Sequence, residues 1–87
     1  MEKGDVIMVT RPTKDGKRKW TWFGVVLEVS RRNMWLTCYR LGDWEREMIV
    51  NPRDENTTVV LIPEDKWPDG VWALRTKAIL EGKIDVD

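Results

Sequence analysis

Hydrophobic positions along the first two thirds of the chain recur with period two or in short β-branched runs, and only the last quarter changes to a helical spacing. Residues 5–10, DVIMVT, form a first strand that follows Gly4 and breaks at Arg11 and Pro12. Residues 13–18, TKDGKR, are too polar for a core. Their Asp15-Gly16 pair suits the positive backbone angles of a tight turn, so the stretch is predicted to project as a basic hairpin loop. Residues 19–29, KWTWFGVVLEV, make a long second strand in which Gly24 predicts a bend or bulge. After the polar turn SRRN come a third strand at 34–40 and a fourth at 44–50. Beyond the charged loop NPRDEN, a fifth at 57–62 is stopped by Pro63. Such a meander must curl and close, or cover one face, because exposed strand edges recruit other chains.

Val71, Leu74, Ala78 and Ile79 fall at i, i+3, i+7 and i+8, which predicts one amphipathic helix over about residues 69–82, with Asp69 as its cap and Gly82 as its stop. Trp72 widens the apolar stripe, and the stripe needs the open end or an outer face of the sheet to bury against. Residues 83–87 read as a tail or a stray edge strand. A chain of 87 residues is too short for a second independent core. The expectation is therefore a single mostly β domain over residues 1–87, with a five-stranded barrel at 4–62 and a short C-terminal α-helix.

Alternation within the second strand puts Thr21, Phe23, Val25, Leu27 and Val29 on one face, read as core, and Trp20, Trp22, Val26 and Glu28 on the other. Trp35 and Tyr39 alternate in the same sense on the third strand, so four aromatics are expected to share one outer face. Two readings of that face stand side by side. It is an exposed stacking platform, or the helix carrying Val71, Trp72, Leu74 and Ile79 lies across it and makes a second small core.

Charge sharpens the first reading. The chain has 15 basic and 15 acidic residues. Between Arg11 and Arg40, however, eight basic residues meet only Asp15 and Glu28, a local excess of six positive charges. Lys14, Lys17, Arg18 and Lys19 occupy the hairpin loop, and Arg31 and Arg32 occupy a turn expected to lie beside it. Cations flanking exposed Trp20, Trp22, Trp35 and Tyr39 would hold phosphates while the rings stack on unpaired bases. The plainer reading of the same lysines and arginines is a pair of solvated loops. Glu45 and Glu47 are accounted for by ion pairs across to the basic strands.

Other chemistry is constrained by what the chain lacks. It has no histidine and one cysteine, Cys38, which excludes an internal disulfide, the ordinary zinc ligand sets and the Ser-His-Asp and Cys-His arrangements. No catalytic residue, metal or cofactor is expected, and Cys38 reads as a buried small hydrophobe. No segment approaches the roughly 20 apolar residues of a membrane-spanning helix, and the opening MEKGDV lacks the layout of a signal peptide. A cytoplasmic protein without a membrane partner is the expectation.

The opening KGDVIMV, the basic hairpin and then WFGVVLEV, from Lys3 to Val29, resemble the start of KOW, Tudor and related SH3-like barrels, in which Gly-Asp leads the first strand and a glycine bends the second. The Trp-rich, histidine-free style is also similar to that of small phage-encoded proteins. The resemblance implies a five-stranded SH3-like barrel and a range of partners that includes RNA, DNA, ribosomal or polymerase components and methylated peptides. Two functions are carried forward: a single-stranded nucleic-acid-binding module, and a protein-interaction module, adaptor or inhibitor, that uses the same aromatics as its hot spot.

Overall fold

The period-two segments become five strands, β1 Val6–Pro12, β2 Lys19–Val29, β3 Leu36–Arg40, β4 Asp43–Val50 and β5 Thr58–Leu61, and the helical spacing becomes α1, Val71–Leu80. The computed structural model describes residues 1–85; of Asn33, Trp44 and Glu45 it describes the backbone alone, so the reading of Glu45 as an ion-pair partner lies outside the described residues. One antiparallel sheet has the order β4-β3-β2-β1-β5. Residues 51–57 carry the chain from one edge strand to the other. No ladder among the described residues joins β4 to β5, so closure into a barrel is not part of the observed fold.

The sheet curls, and both of its faces bury apolar side chains. One face gathers Ile7, Val9, Val26, Leu36, Cys38 and Val50 into a cluster against which Trp22, Val29 and Val59 pack. Residues from β1, β4 and β5 meet there only because the sheet bends around them. The opposite face carries Val6, Val25, Leu27 and Tyr39, and α1 lies on it through the fully buried Val71, Leu74 and Ala78. Burial of each large apolar side chain contributes about 1.5–3 kcal/mol. Ile84 joins this second cluster, so the start of the expected tail is a docked segment and not an edge strand.

This placement removes one of the two readings of the aromatic face: α1 does not cover the face of Trp20 and Trp22. It covers the other one, while the face expected to be outer carries its own core. Trp72 does not widen the buried stripe either; it is 52% exposed and leans on Trp67, with ring centroids 4.6 Å apart.

Local differences from the expected elements have physical reasons. β1 runs through Arg11 and Pro12 because its even-numbered residues bond toward β5, as in the 2.9 Å bond from the Ile62 N–H to the Val6 carbonyl. β5 begins opposite Thr10, so the missing N–H of Pro12 faces no partner strand. The irregularity in β2 falls between Val26 and Glu28, not at Gly24, and the shift moves Val29 off the predicted core face onto that of Val26. β3 begins at Leu36 because the preceding turn consumes Met34 and Trp35: the Ser30 N–H donates to the Trp35 carbonyl at 3.0 Å and the Trp35 N–H to Ser30 Oγ at 2.9 Å. Asp69 makes no capping bond. The cap position is Gly70 at φ +89°, a left-handed conformation that glycine adopts without a Cβ penalty.

Candidate functional site

Ladder register places side chains on a common face, and from it the site can be built. Arg11 pairs with Trp20, Val9 with Trp22, and Gly24 with both Ile7 and Arg40. Trp20, Trp22, Arg11 and Arg40 therefore project on the concave face, at the hairpin end of the sheet beyond the Ile7 cluster. Trp22 is half-buried. Its ring folds back over Gly24, where a Cβ would lie 2.8 Å from ring atom Cζ3 and 2.7 Å from the Tyr39 carbonyl oxygen. The Arg40 guanidinium sits 5.9 Å from the Trp22 ring centroid, within cation–π range. Trp20 lies two pairs nearer the loop and is 70% exposed.

Three hollows meet at Trp20. A cleft of about 310 Å³ is walled by Trp20, Trp22, Met48 and Val50, with Arg11, Arg40 and Asp54 among its polar residues. A more open hollow of about 530 Å³ is lined by Thr13, Lys14, Asp15, Lys17, Arg18 and Trp20. The third is formed by Lys19, Trp20, Thr21 and Arg40. Six basic side chains thus surround one exposed indole, against two carboxylates, and neither carboxylate is idle. Asp15 accepts from the Thr13 hydroxyl and, at 3.0 Å, from the Lys17 N–H, and these bonds hold its carboxyl below the usual range. Asp54 stands 3.7 Å from Arg11. The hairpin is set by Asp15-Gly16 as expected, although only Gly16 takes a positive φ, +71°.

The chain matches no protein-family model, no curated protein and no solved structure. What it does must therefore be argued from its own side chains.

Of the ten residues singled out in the sequence, Lys14, Lys17, Arg18, Lys19, Trp20 and Trp22 come together, and the other four do not. Arg31 and Arg32 follow β2 at its far end. Its 11 residues put them up to about 33 Å along the strand from the hairpin, so they do not flank the same site. Arg32 has φ +62°, and its carbonyl accepts from the Arg53 guanidinium. Trp35, 50% exposed, belongs to that far end with Met34. Tyr39 is 3% exposed on the helix side of the sheet and has no face to offer a base.

The Tyr39 ring instead anchors the helix. Its hydroxyl donates to Glu81 at 2.7 Å and accepts from Lys83, while Lys83 also reaches Glu47 at 2.7 Å and Lys77 reaches Glu81 at 2.9 Å. Both ammonium groups lie within 5 Å of the ring centroid, at 4.5 and 4.7 Å. Glu47 thus pairs with the segment after α1 and not with the basic strands. Below the opposite face, Cys38 is fully buried, and desolvation pushes its thiol up to about 12. That is the environment of a packing residue, not of a nucleophile.

Arg11, Arg40 and Asp54 belong to the site but were missed as members of it. Arg11 and Arg40 were legible in principle: each lies two residues beyond a core position, Val9 and Cys38, and so shares its face. Asp54 carries no such signal, because it comes from the loop that crosses between sheet edges. Among the described residues, no cluster of three or more metal-ligating side chains occurs, and no helix is long and apolar enough to cross a membrane.

Proposed function

We propose that this chain is a single-stranded nucleic-acid-binding module, whose binding surface is the concave hairpin end of the sheet. The observation that carries the reading is Trp20: an indole 70% exposed, held on a paired strand and encircled by Arg11, Lys14, Lys17, Arg18, Lys19 and Arg40. Every base has a π-face, and stacking on an aromatic ring stabilises the complex by about 1–3 kcal/mol per base. The surrounding cations add a phosphate term that weakens as salt rises. In this reading the curled sheet is an open relative of the SH3-like barrel, the setting is cytoplasmic, and the protein has no catalytic role. Its neutral overall charge is compatible with the function because the charge is segregated, the excess lying between Arg11 and Arg40.

A second reading rests on a separate observation. Trp72 and Leu80, on α1, are 52% and 82% exposed and line none of the hollows around Trp20, which favours a protein partner for the helix side.

Fluorescence anisotropy with labelled single- and double-stranded oligonucleotides, at low and at physiological salt, tests the proposal. Single strands are expected to bind, more weakly as salt rises. Trp20→Ala and the double reversal Lys17→Glu/Arg18→Glu should each reduce affinity. Arg31→Glu/Arg32→Glu, at the far end, should leave it nearly unchanged. Absence of binding at low salt would overturn the proposal and pass the question to the protein-partner reading.

A further inference from the structure

The cleft beside Trp22 has features that a simple stacking platform does not require. At about 310 Å³ it lies at the small end of ligand pockets, large enough for one planar ring system. Its wall is aromatic and apolar, and its polar residues include both a carboxylate and guanidinium groups. Asp54 is oriented from within its own loop: one carboxylate oxygen accepts from the Asn56 N–H at 2.9 Å. The other faces Arg11 at 3.7 Å, an ion pair whose side chains are 58% and 32% exposed. A pair so long and so accessible contributes little and can be exchanged for a ligand at small cost. Asn51 is held in the same loop, its side-chain oxygen accepting from the Arg53 N–H at 2.9 Å. That bond leaves its amide nitrogen turned to donate.

Resting on the reading of the surface as a single-strand binder, we infer that this cleft receives one splayed-out base and selects guanine. Guanine presents two adjacent donors, N1–H and N2–H, which match the two oxygens of a carboxylate. Beside them stand the O6 and N7 acceptors, which match a guanidinium. The other bases fit Asp54 less well. Uracil and thymine place a single donor between two carbonyls, cytosine and adenine set an acceptor next to their amino group, and each would leave a lone pair facing the carboxylate. Unstacked bases held by an aromatic ring and read on their exposed edges are the usual targets of sequence-specific single-strand recognition. Trp20, 70% exposed and lining the cleft, supplies that ring, while Trp22, held over Gly24 and faced by Arg40, forms the cleft's fixed wall.

The test compares a labelled thymidine oligonucleotide with the same strand carrying one central guanine, and the corresponding uridine RNA pair, by anisotropy at fixed salt. The guanine strand should bind about tenfold more tightly, in line with the discrimination given by one bidentate base contact. Asp54→Asn keeps an acceptor for the Asn56 N–H but turns an amide toward the base. It should abolish the preference, read as the ratio of the two affinities falling to about one, while the loss of a carboxylate beside Arg11 tightens both strands alike. Equal affinities of the unaltered protein for both strands, or a preference that survives Asp54→Asn, would overturn the base-selective cleft and leave the single-strand proposal intact. Failure to bind either strand would overturn both. The comparison of strands with the unaltered protein decides the matter even if the variant folds poorly.

Discussion

Gly24→Ala is the smallest change that bears on both the fold and the site. The added methyl carbon would stand 2.7 Å from the Tyr39 carbonyl oxygen and 2.8 Å from Cζ3 of Trp22. The ring can swing away, but the carbonyl is backbone of β3, where Gly24 pairs with Arg40 and Val25 with Tyr39, and it moves only if that ladder shifts. Overpacking of this kind costs about 1–3 kcal/mol. The lower conformational entropy of alanine in the unfolded chain returns about 0.4–1 kcal/mol. A net loss of about 1–2 kcal/mol corresponds, for a domain of this size, to a fall in Tm of roughly 4–16 °C. Thermal unfolding followed by far-UV circular dichroism measures it. Repeating the substitution in a Trp22→Ala background removes one of the two clashes, so the cost should shrink without vanishing. Displacing the ring should also lower single-strand affinity in the intact background. A variant that melts within about 2 °C of the parent would refute the reasoning, because the close approach would then not constrain the structure.

Other perturbations probe other parts of the molecule. Leu74→Ala empties a fully buried position between α1 and the sheet and should cost about 2–5 kcal/mol in urea unfolding; a loss well under 1 kcal/mol would mean that α1 is not packed as described. Tyr39→Phe removes the hydroxyl shared by Glu81 and Lys83 and should lower the unfolding free energy by about 1–2 kcal/mol, read as a lower urea midpoint at unchanged slope, whereas an unchanged midpoint would deny the hydroxyl its role. The Tyr39 hydroxyl and then Lys77 hold the Glu81 carboxyl below its ordinary 4.5, so its contribution is complete above that pH and is lost as pH falls further. Bonds to Glu81 raise Lys77, and bonds to Glu47 and then Tyr39 raise Lys83, above the ordinary 10.5, so their contributions hold below that pH and are lost at higher alkalinity. The Tm difference between the parent and Glu81→Gln should therefore narrow below pH 4.5, and a difference constant from neutral to acid would contradict the network. Cys38, buried and with its thiol pushed up to about 12, should react with a thiol reagent only at the rate of unfolding; rapid labelling under native conditions would show the concave cluster to be open.

How much of this was legible in the residues depended on whether the deciding interactions were local. Strand and helix segments follow from side-chain periodicity, and the Asp15-Gly16 turn follows from the freedom of Gly16 at φ +71°. Five strands, one helix and a basic hairpin beside tryptophans could therefore be read in advance, as could the burial of Cys38. The choice of face was another matter. Alternation in an antiparallel strand distinguishes two faces without saying that only one is buried. Here the curl of the sheet enclosed Val26 and Leu36 on the concave side, while α1 took the convex side over Val25 and Tyr39. Tyr39 was thereby withdrawn from the candidate site into the helix anchor. Arg31 and Arg32 were separated from the hairpin by the length of β2, a distance that a charge pattern does not encode. Long-range placement likewise brought Asp54 to Arg11 across the crossing loop and Arg40 from β3 to the Trp22 ring. Both contacts join residues to neighbours selected by how the sheet bends, and sheet curvature is settled by the packing of all its strands together, not by any one of them.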